Sequence, residues 1–427
     1  MRAGSAAPGP SPRAAGPGFT PYHWAASASE VAARHGVPAA HVLRFDANLP
    51  PFPARLPSPP GTLLAERGEY PEGTYRRLRE AAAAYAGCGP DEIVVDAGAD
   101  GLIGLVARTF LGPGRRAVVE TPTYPLYAIA SRIEGAEVEA AAPDVETLAR
   151  AARDAHVLWL CNPGNPSGAL RAVDEVATLA AVLPRVLVCV DEAYVEYGGE
   201  TVASLAPTRP NLVCVRTLSK AFGLAGLRVG YAVATAAVAA ELASRRAPAP
   251  ISTVGALTAA CALQEPAIAA EVETTRRERE RVRSACLAAG YDSPPTHTNF
   301  VLVETHEAPA IAARLEARGL VVRAYPTALR ITVRSPADDD LLLRALDVAP
   351  PPATIRSATL LGPGLRVSVV LEGSGRVRVE TGDAERDERL ERSALADGLD
   401  LELVADGGTD EGTLERHLRE ALAVAAR

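Results

Sequence analysis

A single lysine, Lys220, stands among the 44 lysine and arginine residues of this 427-residue chain. A lysine amine sheds its proton near neutral pH when it is buried or set beside another cation, and can then condense with an aldehyde to an imine; a guanidinium stays protonated and cannot. Lys220 lies in RTLSKAFGLAGLRVG, residues 216–230, with Thr217 and Ser219 just before it and Arg228 after it. Three other short stretches carry polar groups directly after apolar runs. VLVCVDEAY ends in Asp191 and Tyr194, WLCNPGNPSG carries Asn162 and Asn165, and VVDAGAD passes through Gly98, Ala99 and Asp100 into a helix whose free N–H groups can hold a phosphate. Singly, each has an ordinary role as a cap, a turn or a surface charge. Together they would set an anion cradle, a carboxylate, a phenol, an amide and an amine at one sheet edge.

Position depends on the elements around them. From about residue 90, apolar runs rich in β-branched residues, as in DEIVVDAG, RAVVETP, HVLWLCNPG and RVLVCVDEAY, alternate with Ala-rich amphipathic segments. Strands apolar on both faces and separated by helices predict a mostly parallel sheet between helix layers, an α/β fold. Ligands bind such sheets beyond the carboxyl ends of the strands, which is where the polar residues stand.

VDEAYVEY followed by RTLSKAFGLAGLRVG resembles the pyridoxal 5'-phosphate (PLP) aminotransferases of fold type I, and most closely the histidinol-phosphate aminotransferases. EYPEG, GAD, PTYPLY and NPGNPSG follow the order of that family, and the resemblance covers residues 20–350 or so. It implies that Lys220 carries the cofactor and acts as general base, while Asp191 pairs with the pyridine nitrogen. It assigns Asn165 and Tyr194 to the cofactor's phenolic oxygen and Tyr124 to the face of its ring. Ser219, Arg228, the N–H groups of Ala99 and Asp100, and Thr217 would hold the phosphate. Tyr70 of EYPEG would reach the phosphate of a second subunit, which implies a homodimer with two shared sites. Asn48, Arg323 and Arg330 match substrate-facing positions. Three turns depart from the family pattern: Gly101 follows GAD, Gly164 replaces the first Asn of NNP, and NLPPFP is an imperfect NENPYG. Turns of this kind bear on substrate choice and leave the cofactor residues intact.

The same reading divides the chain. Residues 1–19 form a disordered extension, 61–254 a large PLP-binding domain, and 20–60 with 255–348 a smaller α+β substrate domain. A Pro-rich linker, 349–355, leads to a small α+β module at 356–427. There VSVVLEGSGRVRVETG reads as a hairpin turning at Gly373 to Gly375, with DLELVA as a further strand. RSATLL, the hairpin and DGLDLELVADG are similar to half of an imidazoleglycerol-phosphate dehydratase. Of that family's metal-binding histidines only His417 remains, so neither metal nor dehydratase activity is expected.

Composition narrows the function classes. With 48% hydrophobic and 22% charged residues the chain is globular, and a net charge of −8 offers no basic surface for nucleic acid or an anionic membrane. No apolar run approaches the roughly 18 residues of a membrane span, and no secretory leader is present, which points to the cytoplasm. Six scattered cysteines without a CxxC pair and seven dispersed histidines predict buried thiols and no metal site. Three readings stand: transfer of the amino group of histidinol phosphate to 2-oxoglutarate; a related PLP reaction on an aromatic amino acid or a phosphorylated threonine; and a non-catalytic assembly protein.

Overall fold

The computed structural model describes residues 14–50 and 68–351, together with the backbone of four strands beyond residue 355. In chain order the strands are β1 (Leu43–Arg44), β2 (Ile93–Asp96), β3 (Arg116–Glu120), β4 (Glu137–Ala141), β5 (Val157–Cys161), β6 (Leu187–Asp191), β7 (Leu212–Thr217) and β8 (Gly230–Val233). There follow β9 (Phe300–Glu304), β10 (Leu320–Val321), β11 (Arg323–Tyr325) and β12 (Ala328–Thr332). Seven of them make one sheet in the order β2-β8-β7-β6-β5-β3-β4, parallel except for β8, which runs against both neighbours. The α/β fold expected from the sequence is met.

The strands are apolar throughout because both faces are covered. Along β5, Leu158 and Leu160 enter one core, and Val157, Trp159 and Cys161 enter the other, as the two-residue period of a strand requires. Helices Arg76–Ala86, Val145–Ala152, Val173–Val182 and Thr253–Ala262 close the first core; Gly98–Phe110, Leu126–Ile133 and Ala236–Arg245 close the second.

A smaller body is built on the antiparallel sheet β11-β12-β9 and the parallel pair β1-β10. Phe45, Val301, Leu329 and Ile331 meet helices Ala267–Ala288, Ala308–Glu316 and Pro336–Ala345 in its core. Helix Ala267–Ala288 belongs to both bodies: Ile268 and Val272 pack in the larger core, Val282, Ala285 and Cys286 in the smaller. The larger core thus continues past residue 254 through Ala259 and Ala262 to Val272.

The chain is already docked at residue 16, inside the stretch read from sequence as an extension. The N–H of Gly16 donates to the Arg132 carbonyl at 2.7 Å, and Arg132 Nε donates to the Pro17 carbonyl at 3.0 Å. Residues 1–13 lie outside the described residues. In the C-terminal region β13 (Arg356–Gly362), β14 (Leu365–Leu371) and β15 (Val377–Glu380) run antiparallel, and β16 (Leu401–Glu402) pairs parallel with β15. Leu371 pairs with Val377 across the expected hairpin; the helices expected there, and His417, lie outside the described residues. Among the described residues no helix is long and apolar enough to cross a membrane, no group of His, Cys, Asp and Glu could hold a metal, and all six cysteines are free.

Candidate active site

The sheet brings the sequence-predicted groups together by register alone. Cys161 pairs with Asp191, and Asp191 with Val215, so the ends of β5, β6 and β7 emerge side by side. The segments that follow carry Asn165, Asp191 to Tyr194, and Thr217 to Lys220. On the other side Thr217 pairs with Gly230, and Gly230 with Asp96, so helix Gly98–Phe110 starts beside the same edge.

The Lys220 amine lies 5.6 Å from the centre of the Tyr194 ring, with no hydrogen bond or ion pair among the described residues. Burial, and after it the nearby positive charge of Arg330, pulls its pKa down to about 8, against the opposing pull of Asp100 and Asp191. A minority neutral fraction is therefore present at neutral pH, far more than an ordinary lysine has, as an amine nucleophile or base requires.

Asp191 is buried, yet both of its oxygens are engaged. Oδ2 accepts from the Tyr127 hydroxyl at 2.7 Å and Oδ1 from the Ala193 N–H at 3.1 Å. Burial pushes the carboxyl up to about 6, with these two hydrogen bonds holding it down, so it is ionised at neutral pH. Tyr127 went unassigned in the sequence reading; PTYPLY places it three residues after Tyr124, and nothing in that spacing points to Asp191. The Tyr124 ring meets the Tyr127 ring edge-on at 5.7 Å, and its hydroxyl donates to Asp100 Oδ1 at 3.2 Å.

Two contacts join the larger body to the smaller across the site. Arg330 Nη1 on β12 donates to the Asn165 side-chain oxygen at 2.6 Å, and Asn48 Nδ2 donates to the Tyr194 hydroxyl at 2.8 Å. Arg330 Nη2 donates to the Asp46 carbonyl at 2.8 Å, the guanidinium lies 5.3 Å from the Phe300 ring centre, and its buried Nε has no partner. Asn48 adopts a left-handed φ of 52°, held by its N–H donating to Thr332 Oγ1 at 3.0 Å and by the Thr332 hydroxyl donating to Asn48 Oδ1 at 2.9 Å.

The helix start expected to hold an anion is defined by what cannot fit there. A Cβ on Gly230 would stand 2.6 Å from the Gly98 carbonyl carbon and 2.9 Å from the Ala99 nitrogen, so only glycine lets β8 pass the helix start this closely. Gly98 itself has φ +73°, and no side chain caps the helix N-terminus. The Thr217 hydroxyl donates to Ser219 Oγ at 3.0 Å, and Arg228 Nη2 donates to Asp100 Oδ2 at 2.9 Å. Arg228 also leans over the Gly98 Cα.

Two expected residues stand apart. Tyr70 is 93% exposed and makes no hydrogen bond, ion pair or ring contact among the described residues. Arg323 is exposed on β11; it pairs with Arg330 across the antiparallel ladder and so shares its face. One neighbour was missed from sequence: Tyr22 meets Tyr124 edge-on at 6.3 Å and Trp24 at 5.2 Å. Its signal was the cluster Phe19, Tyr22 and Trp24 in an otherwise Ala/Gly/Pro-rich stretch.

The family model of class I and II aminotransferases matches residues 41–347, the span that carries this arrangement apart from Tyr22 and Trp24. The chain belongs to that family. Histidinol-phosphate aminotransferase 2 of Caulobacter vibrioides is 36% identical over 337 residues, covering 75% of this chain and 89% of the relative. The histidinol-phosphate aminotransferase of a Geobacillus species is 31% identical over 351 residues, covering 77% and 95%. The crystal structure of the Sinorhizobium meliloti histidinol-phosphate aminotransferase in complex with PLP superposes with a TM-score of 0.69 at 28% identity, covering 77% of this chain and 96% of that one. In this aminotransferase the donors present fit such a cofactor. The unpartnered amine of Lys220 suits an aldehyde, the buried Asp191 carboxylate suits a protonated ring nitrogen, and the bare N–H groups beside Gly98, Ser219 and Arg228 suit a phosphate dianion.

Proposed function

We propose that this PLP-dependent aminotransferase moves the amino group of histidinol phosphate to 2-oxoglutarate, as a cytoplasmic homodimer in histidine biosynthesis. The observation that carries the reading is that Lys220, Asp191 and Asn165 stand at the adjacent ends of β7, β6 and β5, with the Lys220 amine 5.6 Å from the Tyr194 ring centre and lowered to about 8 by burial and then by the charge of Arg330. When bound, PLP supplies an aldehyde to receive the amino group and a ring that accepts electron density from the substrate carbon.

The protein's own residues do the rest. Lys220 anchors the cofactor and, once released, moves the proton at the substrate carbon. Asp191 holds a proton on the ring nitrogen. Asn165 and Tyr194, each already hydrogen-bonded to the smaller body, orient the phenolic oxygen. Arg330, whose Nε has no partner, and Arg323 opposite it on the same side of the sheet offer two cations to an anionic substrate, which supports a phosphorylated amino alcohol as donor and a dicarboxylate as acceptor. The nearly fully exposed Tyr70 suits a second copy laid over it, with its hydroxyl toward that copy's phosphate.

The test is single-turnover conversion of the bound cofactor to its amine form with histidinol phosphate, phenylalanine and threonine phosphate compared. Histidinol phosphate should be the fastest; if it is the slowest, the substrate assignment is wrong. Purified protein that stays colourless with added PLP would overturn the enzyme reading itself.

A further inference from the structure

The hydroxyl that touches Asp191 has no part in the account above. Tyr127 is fully buried and packed on several sides. Its ring lies on the Trp159 indole with centroids 5.6 Å apart and planes 10° from parallel. Trp159 Nε1 donates to Ser131 Oγ at 3.1 Å, and the Ser131 hydroxyl donates to the Tyr127 carbonyl at 2.7 Å, so the clamp closes on the tyrosine's own backbone. The Tyr124 edge supports the ring from another side. The phenol donates to Asp191 Oδ2, and the neutral thiol of Cys161 is the other polar side chain that bears on it.

A carboxylate facing a protonated ring nitrogen shares one proton with it, and the proton rests on the more basic partner. A neutral donor on the carboxylate favours its ionised form and so lowers its basicity. A buried ion pair also needs further hydrogen bonds to offset desolvation, and Asp191 draws these from Tyr127 and Ala193.

We propose that Tyr127 is a positioning residue, clamped by Trp159 and Ser131, whose hydroxyl keeps Asp191 a carboxylate and thereby keeps the proton on the ring nitrogen of the cofactor. Removing the hydroxyl transfers that proton from nitrogen to an Asp191 oxygen; the ion pair becomes a neutral pair, and the ring becomes a weaker electron acceptor. The inference rests on the PLP reading and concerns a residue that reading does not use.

The experiment loads wild-type and Tyr127→Phe protein with PLP carrying nitrogen-15 in the ring and reads its resonance. The Phe variant keeps the ring that lies on Trp159, so the fold is retained, which the melting temperature of the cofactor-free protein verifies. Its resonance should move from the pyridinium position toward that of neutral pyridine, with kcat lower by on the order of 10-fold and KM little changed. Ser131→Ala keeps the phenol but opens the clamp, and should give a smaller displacement in the same direction. A folded variant of either kind whose resonance coincides with wild type overturns the proposal. Wild-type protein that takes up no labelled PLP overturns the cofactor reading instead, an outcome visible before any variant is made.

Discussion

The Arg330 guanidinium and the Asn165 amide meet at 2.6 Å, which ties the smaller body's central strand to the turn after β5. Each is assigned a different partner in the reaction, one the substrate and the other the cofactor's phenolic oxygen. Replacing Arg330 by Ala should lower kcat/KM by about 10- to 100-fold, the scale of a lost charged hydrogen bond. In a double-mutant cycle with Asn165→Ala the two losses should fall short of additivity by about 0.5–3 kcal/mol. Additive losses would mean that the two side chains act independently.

Lys220→Arg preserves the charge and removes the chemistry. Activity should fall by about 10³-fold or more, with no cofactor fixed by borohydride. Because the chain has one lysine, peptide mass mapping of reduced wild-type protein should place all side-chain-bound cofactor at Lys220.

The amine's titration can be followed directly. A lysine lowered from 10.5 to about 8 gains its neutral form as pH rises through 8, two units and more before an ordinary lysine does. Reductive labelling of Lys220 in cofactor-free protein should therefore climb between about pH 7 and 9 and level off above. A rise still under way near pH 10 would show the amine to be unperturbed.

Gly230→Ala drives a methyl into backbone atoms of Gly98, Arg216 and Ala99, none of which can rotate aside. The expected cost is about 1–3 kcal/mol in denaturant unfolding, together with weaker PLP binding, since the atoms displaced belong to the anion cradle. Normal stability and normal affinity would show that the helix start can shift freely.

Truncation after Ala349 removes the Pro351 carbonyl that accepts from Arg281 Nη1 at 2.8 Å, but Arg281 retains Glu278 and Asp340. The shortened protein should remain soluble and active, as an assay of amino transfer and light scattering would establish. Loss of folding would make the C-terminal region part of the core.

Sequence disclosed most where one residue type admits one role. Lys220, Asp191 and the glycine-flanked helix start follow strands whose apolar runs are unmistakable, and the register of β5, β6 and β7 then brings them together. What it concealed depends on contacts distant in the chain. Tyr127 reads as an ordinary helix aromatic until Asp191, sixty-four positions later, is seen to receive its hydroxyl. The shared helix Ala267–Ala288 hides the boundary between bodies, since no turn residue interrupts it where its packing changes sides. The docking of Gly16 and Pro17 is equally silent, being carried by backbone groups that every sequence possesses.

The lone amine also limits how this protein can be altered after synthesis. Acetylation, succinylation and glycation by reducing sugars all require a primary amine, and beyond the chain terminus only Lys220 offers one. With Lys220 in the role proposed for it, such a modification cannot tune a surface or mark the protein harmlessly: each event would remove one site outright. The cofactor is then a shield as well as a reagent, and stored protein should lose activity to reactive acyl donors fastest when its PLP has been stripped away.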